Sequence, residues 1–109
     1  MENITLSEID EALIRLKGRT ENRISEINNH LRAIRNEIAD QIAKGELYRF
    51  REVVKGTHGY EFDKEQAFAE AKKLKTDNEV TITKLEIEKK NLEFDLESLN
   101  EMLESIKKE

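Results

Sequence analysis

The chain has 109 residues with a formal net charge of −5; 37% of the residues are apolar, 39% are charged, and proline, tryptophan and cysteine are absent. Such a length bounds it to one domain with a thin core, excludes disulfide stapling and leaves little to interrupt a helix. No basic segment followed by an apolar run opens the sequence, and no stretch approaches the roughly 18 apolar residues of a bilayer span, so a cytoplasmic protein outside the membrane is expected.

A first helix is announced by Thr5 and, three residues on, Glu8, the pattern of a capping box, with Ile4 and Ile9 placed as a hydrophobic staple. Apolar residues then recur at Leu6, Ile9, Leu13, Leu16, Ile24, Ile27, Leu31, Ile34, Ile38 and Ile42, the three-and-four spacing of one buried stripe. The steps from Leu16 to Thr20 to Ile24 are two fours in a row, a stutter that relaxes a left-handed supercoil. Gly18 beside it marks a soft or closely packed point. Gly45 reads as the end of this helix, which spans about residues 5–44.

Beyond Gly45 the residues change character. Leu47, Tyr48, Phe50, Val53 and Val54 are aromatic, apolar or β-branched, Lys55 to Gly59 interrupts, and Tyr60 and Phe62 follow. This predicts a small β-hairpin over about 47–62 at the tip of the molecule, with Val54 opposite Tyr60 and Glu52 opposite Phe62. Four of the six aromatic residues fall on that unit, and Phe68 and Phe94 fall outside it. The competing reading continues the first helix through Arg51.

A second helix over about 63–108 starts at a further capping box, Asp63 with Gln66, preceded by Phe62. Its seam reads Phe68, Ala71, Lys75, Asn78, Ile82, Leu85, Lys89, Leu92, Leu96, Leu99, Leu103 and Ile106. Lys75, Asn78 and Lys89 are polar on that seam, where such residues cost stability and set register or oligomer state. The stretch from Thr76 to Thr83 is poor in helix formers, so a break near 76–79 is the alternative. The fold class is therefore mainly all-α, a long antiparallel helical hairpin or coiled coil. Two helices of that length bury little between them, so a homo-oligomer is expected, with Leu92, Leu96, Leu99, Leu103 and Ile106 as its seam.

All seven arginines lie in the first half of the chain, and residues 56–109 carry nine bases against fourteen acids. Arg15, Arg19 and Arg23 recur every four residues, with Arg32 and Arg35 further along, a strip suited to a protein partner or to phosphates. The plainer reading pairs these arginines with the acidic second half, and the interleaved Glu21, Glu26 and Glu37 argue against nucleic acid. A second candidate surface is the tip, with Tyr48, Arg49, Phe50, Arg51, Lys55, His58 and Tyr60. His30 lies one turn after Glu26, but two histidines do not make a zinc site. No phosphate loop and no nucleophile–base arrangement is visible. The expectation is a protein without catalytic residues, metal or cofactor.

The order of helix, hairpin and helix in about 110 residues resembles a β-type prefoldin subunit. That resemblance implies a chaperone that holds unfolded clients between coiled-coil tentacles. The leading expectation is a non-catalytic coiled-coil adaptor or inhibitor of another protein; an accessory protein of a phage or mobile element, binding a host protein or nucleic acid, is a further alternative.

Overall fold

A computed structural model describes residues 3–55 and 61–108, with side chains over 3–53 and 63–106. Two helices account for almost all of it: α1, Leu6–Lys55, and α2, Glu61–Lys108. The fold class is all-α, and the described residues contain no strand. Contacts divide the chain into two units. Unit 1 comprises Met1–Asn29 and Lys84–Glu109, and unit 2 comprises His30–Thr83.

The start of α1 follows its sequence signal. The Glu8 backbone N–H donates to the Thr5 hydroxyl at 3.2 Å, and the Ile9 N–H donates to the Thr5 carbonyl at 3.1 Å, so Thr5 caps the helix. Ile4 and Ile9 both remain exposed.

In unit 1 the N-terminal part of α1 packs antiparallel against the C-terminal part of α2. Ile27 is fully buried, and Leu85 and Leu99 join it. Thr20 is the buried polar side chain; its hydroxyl donates to the Leu16 carbonyl at 2.8 Å, so it meets the hydrogen-bonding requirement of burial within its own helix. Leu92, Leu96 and Leu103 are half-buried. The four-residue steps at Leu16, Thr20 and Ile24 have a counterpart in α2 at Glu88, Leu92 and Leu96. Leu16 and Thr20 line one hollow together with Ser98 and Leu99, so both supercoil relaxations fall in the same unit.

Unit 2 is a helical hairpin formed by the end of α1 and the start of α2. Its buried apolar residues are Ile34 and Ile38 of α1 and Ala67 and Ala71 of α2. The sequence reading placed the end of the first helix at Gly45 and a β-hairpin over 47–62. The structure corrects both, because α1 runs unbroken to Lys55 and α2 already includes Phe62. The predicted interruption, Lys55 to Gly59, falls largely at residues 56–60, outside the described residues.

The reason for the continued helix lies in the spacing. Ile34, Ile38, Gln41, Gly45, Tyr48 and Glu52 continue the alternation of fours and threes without a gap, and Gln41, Tyr48 and Glu52 are half-buried while Gly45 is buried. Packing along that stripe overrides the β preference of Tyr48, Phe50, Val53 and Val54. Gly45 closes no helix. A Cβ there would lie 2.6 to 2.8 Å from three atoms of the Phe68 ring, so glycine allows that ring to rest on the α1 backbone. At the same end of the unit, Lys64 and Glu52 form a half-buried ion pair at 3.1 Å.

The alternative break near 76–79 is also absent, since α2 is continuous from Glu61 to Lys108. Its polar residues turn back on their own helix. Thr76 donates to the Lys72 carbonyl at 3.1 Å, Asn78 to Leu74 at 2.8 Å, and Thr83 to Glu79 at 3.0 Å. Each bond satisfies a side chain that would otherwise compete for backbone groups and favour a turn. Lys75 leaves the seam: it is exposed, and Leu74 takes the half-buried position, giving the steps Ala67, Ala71, Leu74, Asn78. Asp63 and Gln66 sit within the first turns of α2, after its start.

Candidate functional site

Most of the surface consists of charged helix faces. Arg23, on the unit 1 part of α1, reaches Glu88 of α2 with a two-pronged contact, Nε to Oε2 at 2.5 Å and Nη2 to Oε1 at 3.0 Å. It also contacts Glu26 one turn on, at 3.3 Å. The carboxylate hydrogen bonds raise the Arg23 pKa, and the guanidinium in turn holds Glu88 below the ordinary carboxylate range. This one pair follows the cross-helix reading of the arginines. Arg15, Arg19, Arg32 and Arg35 are exposed and make no ion pair among the described residues. Arg15 and Arg19 belong to unit 1, and Arg32 and Arg35 to unit 2.

The predicted tip residues are not gathered on one sheet face. Tyr48 is half-buried in α1, Arg49 pairs with Glu46 at 3.0 Å, and Phe50 is exposed. Arg51 is half-buried, and both it and Tyr48 are engaged in interactions. The Lys55 side chain, His58 and Tyr60 lie outside the described residues. Phe50 and Val53 flank a shallow hollow with Glu46 and Arg49. A second, more polar hollow of about 340 Å³ lies between the helices of unit 2, lined by Gln41, Lys44, Tyr48, Asp63, Gln66 and Glu70. Its charges are mixed and no group in it has a shifted pKa to mark it for proton transfer. His30 is exposed in unit 2, and no group of three or more metal-binding side chains occurs among the described residues.

Of the residues read as an oligomer seam, Leu99 is buried and Leu92, Leu96 and Leu103 are half-buried inside unit 1, whereas Ile106 is exposed. Their apolar surface is largely used within the chain. The apolar side chains left to solvent on α2 of unit 1 are different ones: Ile87 is 58% exposed, Phe94 is 70% exposed, and Met102 is exposed beside them. Sequence reasoning passed over Ile87 and Phe94. Their seven-residue separation, two turns apart on one face, was the available signal.

No protein-family model, no curated protein and no solved structure matches this chain. Among the described residues, no helix is long and apolar enough to cross a membrane.

Proposed function

We propose that this chain is a non-catalytic coiled-coil module for protein–protein interaction, an adaptor or inhibitor of another protein that acts as a homo-oligomer in the cytoplasm. One observation carries the reading. After the two helices have packed on each other, large apolar side chains still face solvent in both units, among them Phe94 and Ile87 in unit 1 and Phe50 and Val53 in unit 2. Scattered single residues of this kind are ordinary, but aromatic and β-branched side chains at helical repeat distances are the usual substance of helix-to-helix contacts. A chain this thin has little other means of covering them.

The chaperone reading drew on a hairpin between the helices, and residues 47–55 are helical instead. It keeps no specific support. Phosphate binding draws on the four free arginines but meets acids on the same helix.

Sedimentation of the purified chain at micromolar concentration tests the proposal. A mass at least twice the 12.8 kDa of one chain is expected. A fully folded, stable monomer over the whole concentration range would overturn it.

A further inference from the structure

We infer that the outer face of α2 in unit 1, centred on Ile87 and Phe94, binds the same face of a second copy of this chain in an antiparallel, two-fold arrangement. The inference rests on the homo-oligomer reading above and adds to it the surface and the register.

The pattern of side chains along this face is self-complementary. Ile87 and Phe94 are its apolar positions, and Asn91 lies between them, four residues after Ile87 and three before Phe94. On the same flank as Asn91, Lys84 precedes Ile87 by three residues and Asp95 follows Phe94. Neither Lys84 nor Asp95 forms an ion pair within the chain, and both are exposed. A two-fold axis perpendicular to two facing helices brings each flank against the same flank of the other copy, so every contact occurs twice. With the axis beside Asn91, Ile87 meets Phe94 of the second copy, Lys84 meets its Asp95, and the two Asn91 amides meet each other. An amide at such a position donates and accepts at once, and a single polar pair in an apolar seam is the known device for fixing register. On the opposite flank Lys90 approaches its own counterpart, with Glu86 and Glu93 of the second copy about one turn to either side.

Charge decides the direction. From Glu93 to Glu104 this part of α2 carries five acids, Glu93, Asp95, Glu97, Glu101 and Glu104, and no base. A parallel pair would align all five with their own copies. The antiparallel pair turns the Lys84 end of each helix towards the acidic end of the other. Unlike Leu92, Leu96 and Leu99, which the chain covers itself, Ile87 and Phe94 gain cover only from outside.

The absence of native cysteine makes the register directly readable. In the full chain, the Asn91→Cys variant is expected to form a disulfide-linked dimer on mild oxidation. The Glu101→Cys variant is expected not to, because the two Glu101 positions would lie roughly 30 Å apart along the helices. Phe94→Asp is expected to raise the concentration at which the dimer forms by about thirtyfold, the scale of losing one central aromatic contact, with unchanged helical circular dichroism. If Phe94→Asp abolishes dimerisation but Glu101→Cys crosslinks as fast as Asn91→Cys, the antiparallel register is overturned. If the native chain and Phe94→Asp self-associate equally, the face is wrong although the homo-oligomer reading stands. If the native chain is monomeric, both fall, and the face is covered by something other than its own copy.

Discussion

Gly18 and Gly45 both lie inside α1, one in each unit, yet a methyl group added at Gly18 meets nothing within 4 Å while one at Gly45 would press into the Phe68 ring. The two units are built on different packing. Unit 1 fills the space between its helices with long aliphatic side chains such as Ile27, Leu85 and Leu99. Unit 2 relies on small residues, Ala67, Ala71 and Gly45, which let an aromatic ring lie against the facing backbone. The same residue type is thus an unfilled concession in one unit and a packing requirement in the other.

Three substitutions sharpen or break that contrast, each read by urea or thermal unfolding at fixed protein concentration. The largest effect is expected at Ile27, which is 0% exposed. Ile27→Ala removes a fully buried side chain between two helices and should cost about 2–5 kcal/mol. A loss below about 1 kcal/mol would mean that unit 1 is not held by its aliphatic layer. Next is Gly45→Ala, where helix propensity gains about 1 kcal/mol and overpacking against Phe68 costs about 1–3 kcal/mol, so a net loss near 1 kcal/mol is expected. The sign should reverse in a Phe68→Ala background, because the obstructing ring is then gone. If Gly45→Ala stabilises both backgrounds equally, Phe68 does not use the glycine. Gly18→Ala meets no obstacle and should stabilise by up to about 1 kcal/mol through propensity alone. A loss there would show that Gly18, too, serves a close contact.

How far the sequence disclosed these differences depended on the kind of signal. The start of α1 was legible because Thr5 and Glu8 act locally, and the hydrogen bond between them is present. The apolar stripe was legible wherever isoleucine and leucine marked it. It was lost where Gln41, Gly45, Tyr48 and Glu52 occupied stripe positions, since those residues show their spacing but not their burial. Read without tertiary context, glycine followed by aromatic and β-branched residues signals a helix end and a strand; in the molecule, the ring of Phe68, 23 residues away, supplies the reason for the glycine. Lys75 misled in the converse way. Counting four from Ala71 chose it, while counting three chose Leu74, and only packing distinguishes the two. The outer face at Ile87 and Phe94 was passed over because attention to one seam per helix hides a second.

The smallest expected effect concerns the Arg23–Glu88 pair, the polar counterpart in unit 1 of the Lys64–Glu52 pair in unit 2. Both partners of the unit 1 pair are exposed enough for solvent and salt to screen them, so little stability is expected from it at neutral pH. Its pH dependence has a definite sign. The Glu88 carboxyl is lowered in the folded chain by the Arg23 hydrogen bonds, and Arg23, whose own pKa is raised, stays charged throughout. A group lowered on folding stabilises the native state above its unfolded pKa, here about 4.3, and that contribution disappears as the pH falls through the lower folded value. Glu88→Gln should therefore lie slightly below the native chain in stability at pH 7 and converge with it in acid below about pH 4. The difference should also shrink when salt at pH 7 is raised towards 1 M. A gap that widened in acid would assign the stabilisation to some other contact of Glu88, and one indifferent to both acid and salt would assign it to packing of the side-chain stem against α1.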